Sequence, residues 1–139
     1  YDKYYEDRHY KAKIFQEVPE FLKKIGQKYI LTIASSGRAN NIIGLLEQND
    51  IKSMFSLIAA NSSDSKAGMI KRILKKFRVV PKETIMITDT SGDLAIAKKL
   101  GLKTIAVTWG FHSAKLLKAE KPDYIANNFK MLYKNLNAF

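Results

Sequence analysis

The stretch IMITDTSGDLAIAKKLG, residues 85 to 101, joins a short apolar segment to a helical one through a small polar turn. The apolar run at 85–87 lies in a predicted buried strand, residues 83–88, and residues 93–100 predict a helix that Gly101 ends. One carboxylate, Asp89, closes the strand, and a second, Asp93, opens the helix. Two interpretations of this pair are open: a turn with a helix cap, or a metal site.

The same alternation of strand and helix extends outward from this stretch in both directions. Largely apolar segments at 29–34, 55–60, 103–108 and 123–126, the first of them also β-branched, predict four more strands, and apolar residues at helical spacing lie between them. Strands that are apolar throughout are typical of a parallel sheet covered on both faces. The sequence therefore predicts an α/β fold of the Rossmann-like class, a three-layer parallel sheet with helices on both faces.

Composition and charge limit the class of protein. The chain has 139 residues, enough for one domain with a sizeable core, and no cysteine, which excludes disulfides and thiolate metal sites and fits a cytoplasmic location. Its formal net charge of +11 comes mainly from dispersed lysines. A nucleic-acid interface would more often cluster arginine with aromatic residues, so we interpret this charge as a solvated surface that attracts phosphorylated ligands. No apolar run approaches the roughly 20 residues that span a bilayer, so no membrane partner is expected.

Polar residues follow the first two predicted strands. In parallel sheets of this kind, ligands bind just beyond the carboxyl ends of the strands. Ser35, Ser36, Gly37 and Arg38 follow the first strand. Their hydroxyl and backbone N–H groups suit a phosphate or carboxylate, or else a plain helix cap. Lys66 follows the second strand at a helix start, where its charge opposes the helix dipole. A bound anion would explain that placement, and a surface lysine is the alternative.

The two carboxylates follow the third predicted strand. Asp89 and Asp93 can converge on one hard cation, and Mg²⁺ prefers oxygen ligands completed by water and substrate phosphate. A helix cap is the alternative for Asp93, whereas an unpaired carboxylate at the end of so apolar a strand would be costly. After the fourth strand, Gly110 allows a tight turn, and His112 is interpreted as an ordinary loop residue.

A hydroxyl, a lysine and two acids in this order resemble the haloacid dehalogenase superfamily, and in particular its phosphoglycolate phosphatase-like branch. ILTIASS resembles the family's second motif at Ser35, SSDSKAGMIKRILKKF the third at Lys66, and TDTSGDLAIAKKLG the fourth at Asp89 and Asp93. Thr88 stands where the family usually has glycine, and we expect this change to be tolerated. IFQEVPEFLKKI and TIAVTWGFHSAKLLKAEKPDYI extend the resemblance over roughly residues 14 to 136.

The resemblance implies a magnesium-dependent hydrolase of a small phosphorylated metabolite, acting through an aspartyl-phosphate. It assigns roles to seven residues of this chain: Ser35 and Lys66 to catalysis, Ser36, Gly37 and Arg38 to substrate binding, and Asp89 and Asp93 to the metal.

One departure from the family pattern is serious. The family's nucleophile lies in a D-x-D pair on an upstream central strand, and none of the seven aspartates here forms such a pair. The chain is interpreted either as part of a longer phosphatase, inactive alone, or as an inactive relative with a binding or scaffold role. In the first case, residues 1–15 are the tail of a helical cap and residues 16–139 an incomplete core domain. A missing central strand would expose sheet edges and allow self-association.

Overall fold

The computed structural model describes residues 15–60 and 64–139, in which helices and strands alternate along the chain. Short 3-10 turns lie at Lys52–Met54 and Pro81–Glu83. The other elements, in chain order, are α1 (Val18–Ile25), β1 (Thr32–Ser35), α2 (Ala39–Gln48), β2 (Leu57–Ala60), α3 (Lys66–Phe77), β3 (Ile85–Thr88), α4 (Ser91–Leu100), β4 (Lys103–Val107), α5 (Ala114–Ala119), β5 (Tyr124–Ala126) and α6 (Phe129–Asn137).

All the strand pairs are parallel, as apolar strands separated by helices predict. β1 pairs with β2 from Thr32 opposite Leu57 onward, and β4 lies between β3 and β5. The α/β fold class is confirmed. The expectation of one sheet is not met, because the strands of the described part form one sheet of two strands and another of three.

The chain divides into two compact units, Tyr1–Ile73 and Leu74–Phe139, and each has its own buried apolar residues. In the first unit they include Ile51 and Met69, and in the second Leu94, Ala106 and Leu117, against which the partly buried Ile125 packs. The predicted boundary between a cap tail and a core domain falls at residue 15, beside residues 1–14 that lie outside the described part. It stays a prediction.

The helix ends follow the local signals in the sequence. Ser113 and Asn128 cap α5 and α6, each accepting a hydrogen bond from a backbone N–H in the first turn. Gly101 ends α4 in the left-handed conformation, with φ of 87°, which suits a residue without a Cβ. The predicted start of α3 at Lys66 is confirmed.

In the structure, the first strand is shorter than the apolar run that predicted it. Tyr29 and Ile30 precede β1, because the backbone N–H of Tyr29 still donates to Ile25 O, at 2.9 Å, in the turn that leaves α1. The side chain of Ile30 is consequently 59% exposed. The strand instead extends one residue beyond the predicted end, so Ser35 is its last residue rather than the first residue of the loop.

A polar clip fastens the amino end of β5 to β4, and it supports a stability prediction. Asp123 Oδ2 accepts hydrogen bonds from Thr104 N–H at 2.8 Å and Thr104 Oγ1 at 3.3 Å, while Asp123 N–H donates to Thr104 Oγ1 at 3.0 Å. Thr104 is 1% exposed, so its amide has little access to water. We expect Asp123→Ala to lower the free energy of unfolding by about 1–3 kcal/mol, because a buried donor loses its acceptor.

Urea unfolding measures this loss, and Asp123→Asn is the matched variant. Asparagine keeps an oxygen that can accept the Thr104 N–H bond, so it should retain most of the stability. An Ala variant that unfolds at the wild-type urea concentration would show that the clip contributes nothing.

Candidate active site

Ser35 occupies the carboxyl end of β1 in the first unit. Its Oγ accepts a hydrogen bond from Gly37 N–H at 3.1 Å, which turns the chain sharply after the strand. A serine hydroxyl that accepts a bond keeps its own hydrogen for donation to another oxygen. Helix α2 begins only at Ala39, with Arg38 at the N-cap position and no side-chain cap bond. The alternative that Ser35 or Ser36 caps this helix is therefore wrong.

Lys66 is brought to the same strand end. It is the first residue of α3, whose first turn is capped by Ser65 Oγ, accepting from Gly68 N–H at 3.0 Å. The Lys66 ammonium extends away from its own helix and donates to Ala34 O, 32 residues earlier in the chain, at 2.9 Å. Lys66 is half-buried. It is thus held against the end of β1 beside Ser35, and the surface-lysine interpretation does not describe it.

The three predicted substrate-binding residues follow Ser35 directly. Ser36 and Arg38 are exposed at the end of β1, and Gly37 is half-buried. A Cβ added to Gly37 would lie 3.4 Å from both Ser35 Oγ and the Ile42 side chain, a tight but tolerable contact. They follow the strand end to which the Lys66 ammonium donates, and their binding role stays a prediction.

Asp93 lies in the first turn of α4 in the second unit. Thr90 is the N-cap residue, and its Oγ1 accepts the Asp93 N–H at 3.3 Å, so the helix-cap alternative for Asp93 is wrong. The Asp93 carboxylate instead accepts a bond at Oδ2 from Thr88 Oγ1, at 2.9 Å. Thr88 is 7% exposed, and its Oγ1 also accepts Thr90 N–H at 3.2 Å. The threonine that replaces the family's usual glycine therefore holds one carboxylate of the candidate site.

Asp89 lies in the turn between β3 and α4 and is held by the loop that follows β4. Its Oδ2 accepts a hydrogen bond from Phe111 N–H at 2.8 Å, and its carbonyl accepts one from His112 N–H at 3.1 Å. The His112 ring accepts at Nδ1 from Ser91 N–H, at 2.9 Å. His112 is thus more than the ordinary loop residue that its sequence context suggested. Its position just after a strand end was the one signal of this in the sequence.

In the second unit, the carboxylates of Asp89 and Asp93 suit Mg²⁺ better than they suit a metal ion whose ligands are all protein side chains. Among residues 15–60 and 64–139, no three His, Asp or Glu side chains form a group able to hold a metal ion. Mg²⁺ does not need such a group, because it is usually bound by one or two carboxylates, with water and substrate phosphate completing its shell. Asp89 and Asp93 provide two carboxylates of this kind.

The Thr88–Asp93 bond supports a prediction about stability. A hydroxyl that donates to a carboxylate forms a charge-assisted bond worth about 1.5–3 kcal/mol. We expect Thr88→Val, which removes the hydroxyl with little change in volume, to lower the free energy of unfolding by about that amount. Thermal or urea unfolding measures it. Thr88→Ser keeps the hydroxyl and should lose much less; equal losses in the two variants would indicate that packing of the methyl group, not the hydrogen bond, is responsible.

Comparison with known proteins agrees with the geometry. A family model described as haloacid dehalogenase-like hydrolase matches residues 1 to 107. The chain belongs to this family. Among curated relatives, a phosphoglycolate phosphatase of Synechococcus elongatus is 28% identical over 115 residues, which cover 81% of this chain and 54% of that protein. The chain thus spans about half the length of that haloacid dehalogenase-like relative.

Solved structures of the family have the same fold. A haloacid dehalogenase-like hydrolase from Streptococcus pneumoniae superposes with a TM-score of 0.83 at 25% identity, over 89% of this chain and 60% of that one. A predicted phosphatase from Clostridium acetobutylicum gives a TM-score of 0.85 at 25% identity, over 91% of this chain and 61% of that one. In the described part of the chain, the helices are too short or too polar to cross a membrane.

Proposed function

We propose that the native full-length protein is a magnesium-dependent phosphatase that hydrolyses a small phosphate monoester, with phosphoglycolate as the first substrate to test. Family membership and the phosphoglycolate phosphatase among the relatives support the reaction class. The observation that carries the proposal is the 2.9 Å hydrogen bond from Lys66 Nζ to Ala34 O. It holds a fixed cation at the carbonyl of the residue before Ser35, at the end of a parallel strand where such sheets bind ligands.

In the proposed reaction, Ser35 and Lys66 bind the phosphoryl group. The Ser35 hydroxyl donates to a phosphoryl oxygen, and the Lys66 ammonium neutralises negative charge on that group as it transfers. Both groups are fixed before substrate arrives, Ser35 by the Gly37 N–H bond and Lys66 by the strand carbonyl. Prepositioned donors and charges of this kind account for a large part of enzymatic rate acceleration. Ser36, Gly37 and Arg38 are proposed to complete the binding of the substrate.

The covalent step requires a nucleophile that these 139 residues do not provide in the family's D-x-D form. We propose that it is an aspartate upstream of this chain in the native protein. A carboxylate oxygen attacks phosphorus, the ester P–O bond breaks, and the alcohol leaves with a proton from a neighbouring acid. Water then attacks the aspartyl-phosphate and releases inorganic phosphate, which restores the carboxylate.

Asp89 and Asp93 are proposed to hold Mg²⁺ for this reaction. The bound ion would supply positive charge that stabilises the phosphoryl oxygens during transfer. The protein's part is to present two carboxylates in fixed orientations, Asp89 through the Phe111 amide and Asp93 through the Thr88 hydroxyl. A cytoplasmic location belongs to the same proposal and stays a prediction.

Phosphate release from p-nitrophenyl phosphate and from phosphoglycolate, with Mg²⁺ and with excess chelator, tests the proposal in the native full-length protein. Release that requires Mg²⁺ is the expected result, and phosphoglycolate is expected to be the better substrate. Equal release with and without Mg²⁺ would contradict the metal assignment. No release from either substrate would contradict the phosphatase assignment or restrict it to another ester.

An inactive family member with a binding or scaffold role is the second candidate, favoured by the missing D-x-D pair. Such a protein would keep the Ser35–Lys66 arrangement and bind phosphate without hydrolysing an ester. Calorimetric binding of inorganic phosphate by an inactive native protein would support this candidate over the enzyme.

A further inference from the structure

The loop between β4 and α5, residues 108–113, makes three hydrogen bonds to the β3–α4 turn. Phe111 N–H binds the Asp89 carboxylate, His112 N–H binds the Asp89 carbonyl, and the His112 ring accepts from Ser91 N–H. The partners lie 21 to 23 residues apart in the chain, so no local turn explains them. One loop thus fixes both the side chain and the main chain of a proposed metal ligand.

Gly110 allows this loop to approach so closely. A Cβ built on Gly110 would overlap Asp89 at Cβ, Cγ and Oδ2. The overlap reaches the base of the Asp89 side chain, so a rotation of the carboxylate alone could not relieve it. Any residue larger than glycine must therefore push the loop and Asp89 apart. Gly110 does not have positive φ, so space rather than backbone conformation requires glycine here.

His112 ties the same loop to helix α4. The Ser91 N–H donates to His112 Nδ1 at 2.9 Å. Ser91 is the first residue of α4, and Asp93 lies two residues further along that helix. The loop therefore fixes the Asp89 carboxylate relative to the helix that carries Asp93.

We propose that Gly110 and His112 are positioning residues, which set the Asp89 carboxylate relative to Asp93 and thereby set the affinity for Mg²⁺. This inference rests on the proposed function, because it assumes that the two acids bind the ion. Residues that orient metal ligands without touching the ion commonly change metal affinity about 10- to 100-fold when replaced. The Phe111 amide supplies the contact to the carboxylate, and the other two residues hold that amide in place.

The test compares His112→Leu with His112→Asn in the native full-length protein. Leucine removes the acceptor for Ser91 N–H, whereas an asparagine oxygen can occupy the position of Nδ1. Mg²⁺ binding is measured by calorimetry without substrate, and KM and kcat for p-nitrophenyl phosphate are measured at saturating Mg²⁺. We expect His112→Leu to weaken Mg²⁺ binding at least about tenfold, with KM nearly unchanged, and His112→Asn to restore most of the affinity.

Gly110→Ala provides a second variant that acts through a different contact, and it should weaken Mg²⁺ binding in the same direction. Leu116→Ala, at an exposed side chain on α5, is the control and should leave Mg²⁺ affinity unchanged. Wild-type Mg²⁺ affinity in His112→Leu and Gly110→Ala, with or without a fall in Tm, would overturn the inference while leaving the proposed function intact. A wild-type protein that binds no Mg²⁺ would instead overturn the proposed metal site itself.

Discussion

Replacement of Lys66 by alanine in the native full-length protein is expected to lower kcat at least about a hundredfold, the scale of losing one prepositioned charge-stabilising donor. The structure gives the reason: Lys66 Nζ is held at 2.9 Å from Ala34 O, at the end of the strand that carries Ser35. Alanine removes the positive charge that Lys66 places at that strand end. Steady-state hydrolysis of p-nitrophenyl phosphate at saturating Mg²⁺ measures the effect.

Lys71→Ala is the matched control for this prediction. Lys71 lies on the same helix and is exposed, so its replacement removes one positive charge away from the end of β1. It should leave kcat close to the wild-type value. A similar loss in both variants would mean that the overall charge of the protein, rather than the placement of Lys66, determines the rate.

Replacement of Asp89 by asparagine is expected to lower activity at least as much as replacement of Lys66 by alanine. It is also expected to change how activity depends on Mg²⁺ concentration. Asparagine can keep an oxygen as acceptor for the Phe111 N–H bond, so the turn should hold its shape while the charge that attracts the ion is lost. We expect kcat/KM to fall at least about a hundredfold. Activity measured across a range of Mg²⁺ concentrations should no longer saturate where the wild type does.

The control for Asp89→Asn is Asp50→Asn, which removes one negative charge at an exposed position in the first unit. Asp50 has φ of 56°, a conformation that asparagine tolerates well. The control should behave as the wild type. Near-wild-type turnover and Mg²⁺ dependence in Asp89→Asn would remove Asp89 from the proposed metal site.

The pattern of the sequence was sufficient to predict the fold class, because the fold class follows from local features of the chain. Apolar runs, separated by segments with helical spacing of apolar residues, predicted parallel strands, and Gly101 ended its helix where expected. Strand bounds were less accurate, since Tyr29 belongs to the predicted apolar run but its backbone N–H is bonded to Ile25 O in the turn that leaves α1. Hydropathy alone does not distinguish those two situations.

The residues of the candidate site stay predictions, and the sequence did not predict their contacts. Strand-end position identified Ser35, Lys66, Asp89 and Asp93, and the structure brings Lys66 to the end of β1. The bonds from Phe111 to Asp89 and from Ser91 to His112 join residues more than 20 positions apart. The periodicity of apolar residues in the sequence does not predict such bonds. They depend on the turn after β4 folding back over the turn after β3.

Thr88 illustrates a second limit of motif reasoning. A threonine at a position where glycine is usual suggested only added bulk that the fold would tolerate. In the structure its hydroxyl donates to the Asp93 carboxylate at 2.9 Å, so the substitution supplies a hydrogen bond that glycine could not. A departure from a family pattern can therefore add a contact to the site.

The central claim is that these 139 residues carry the phosphoryl-binding and metal-binding groups of a phosphatase whose nucleophile lies outside them. The most direct test is phosphate release from phosphoglycolate and p-nitrophenyl phosphate, measured with Mg²⁺, for the 139-residue chain beside the native full-length protein. The account predicts release by the full-length protein and none by the 139-residue chain. Release by the 139-residue chain would contradict it, because a residue within the chain would then have to attack phosphorus.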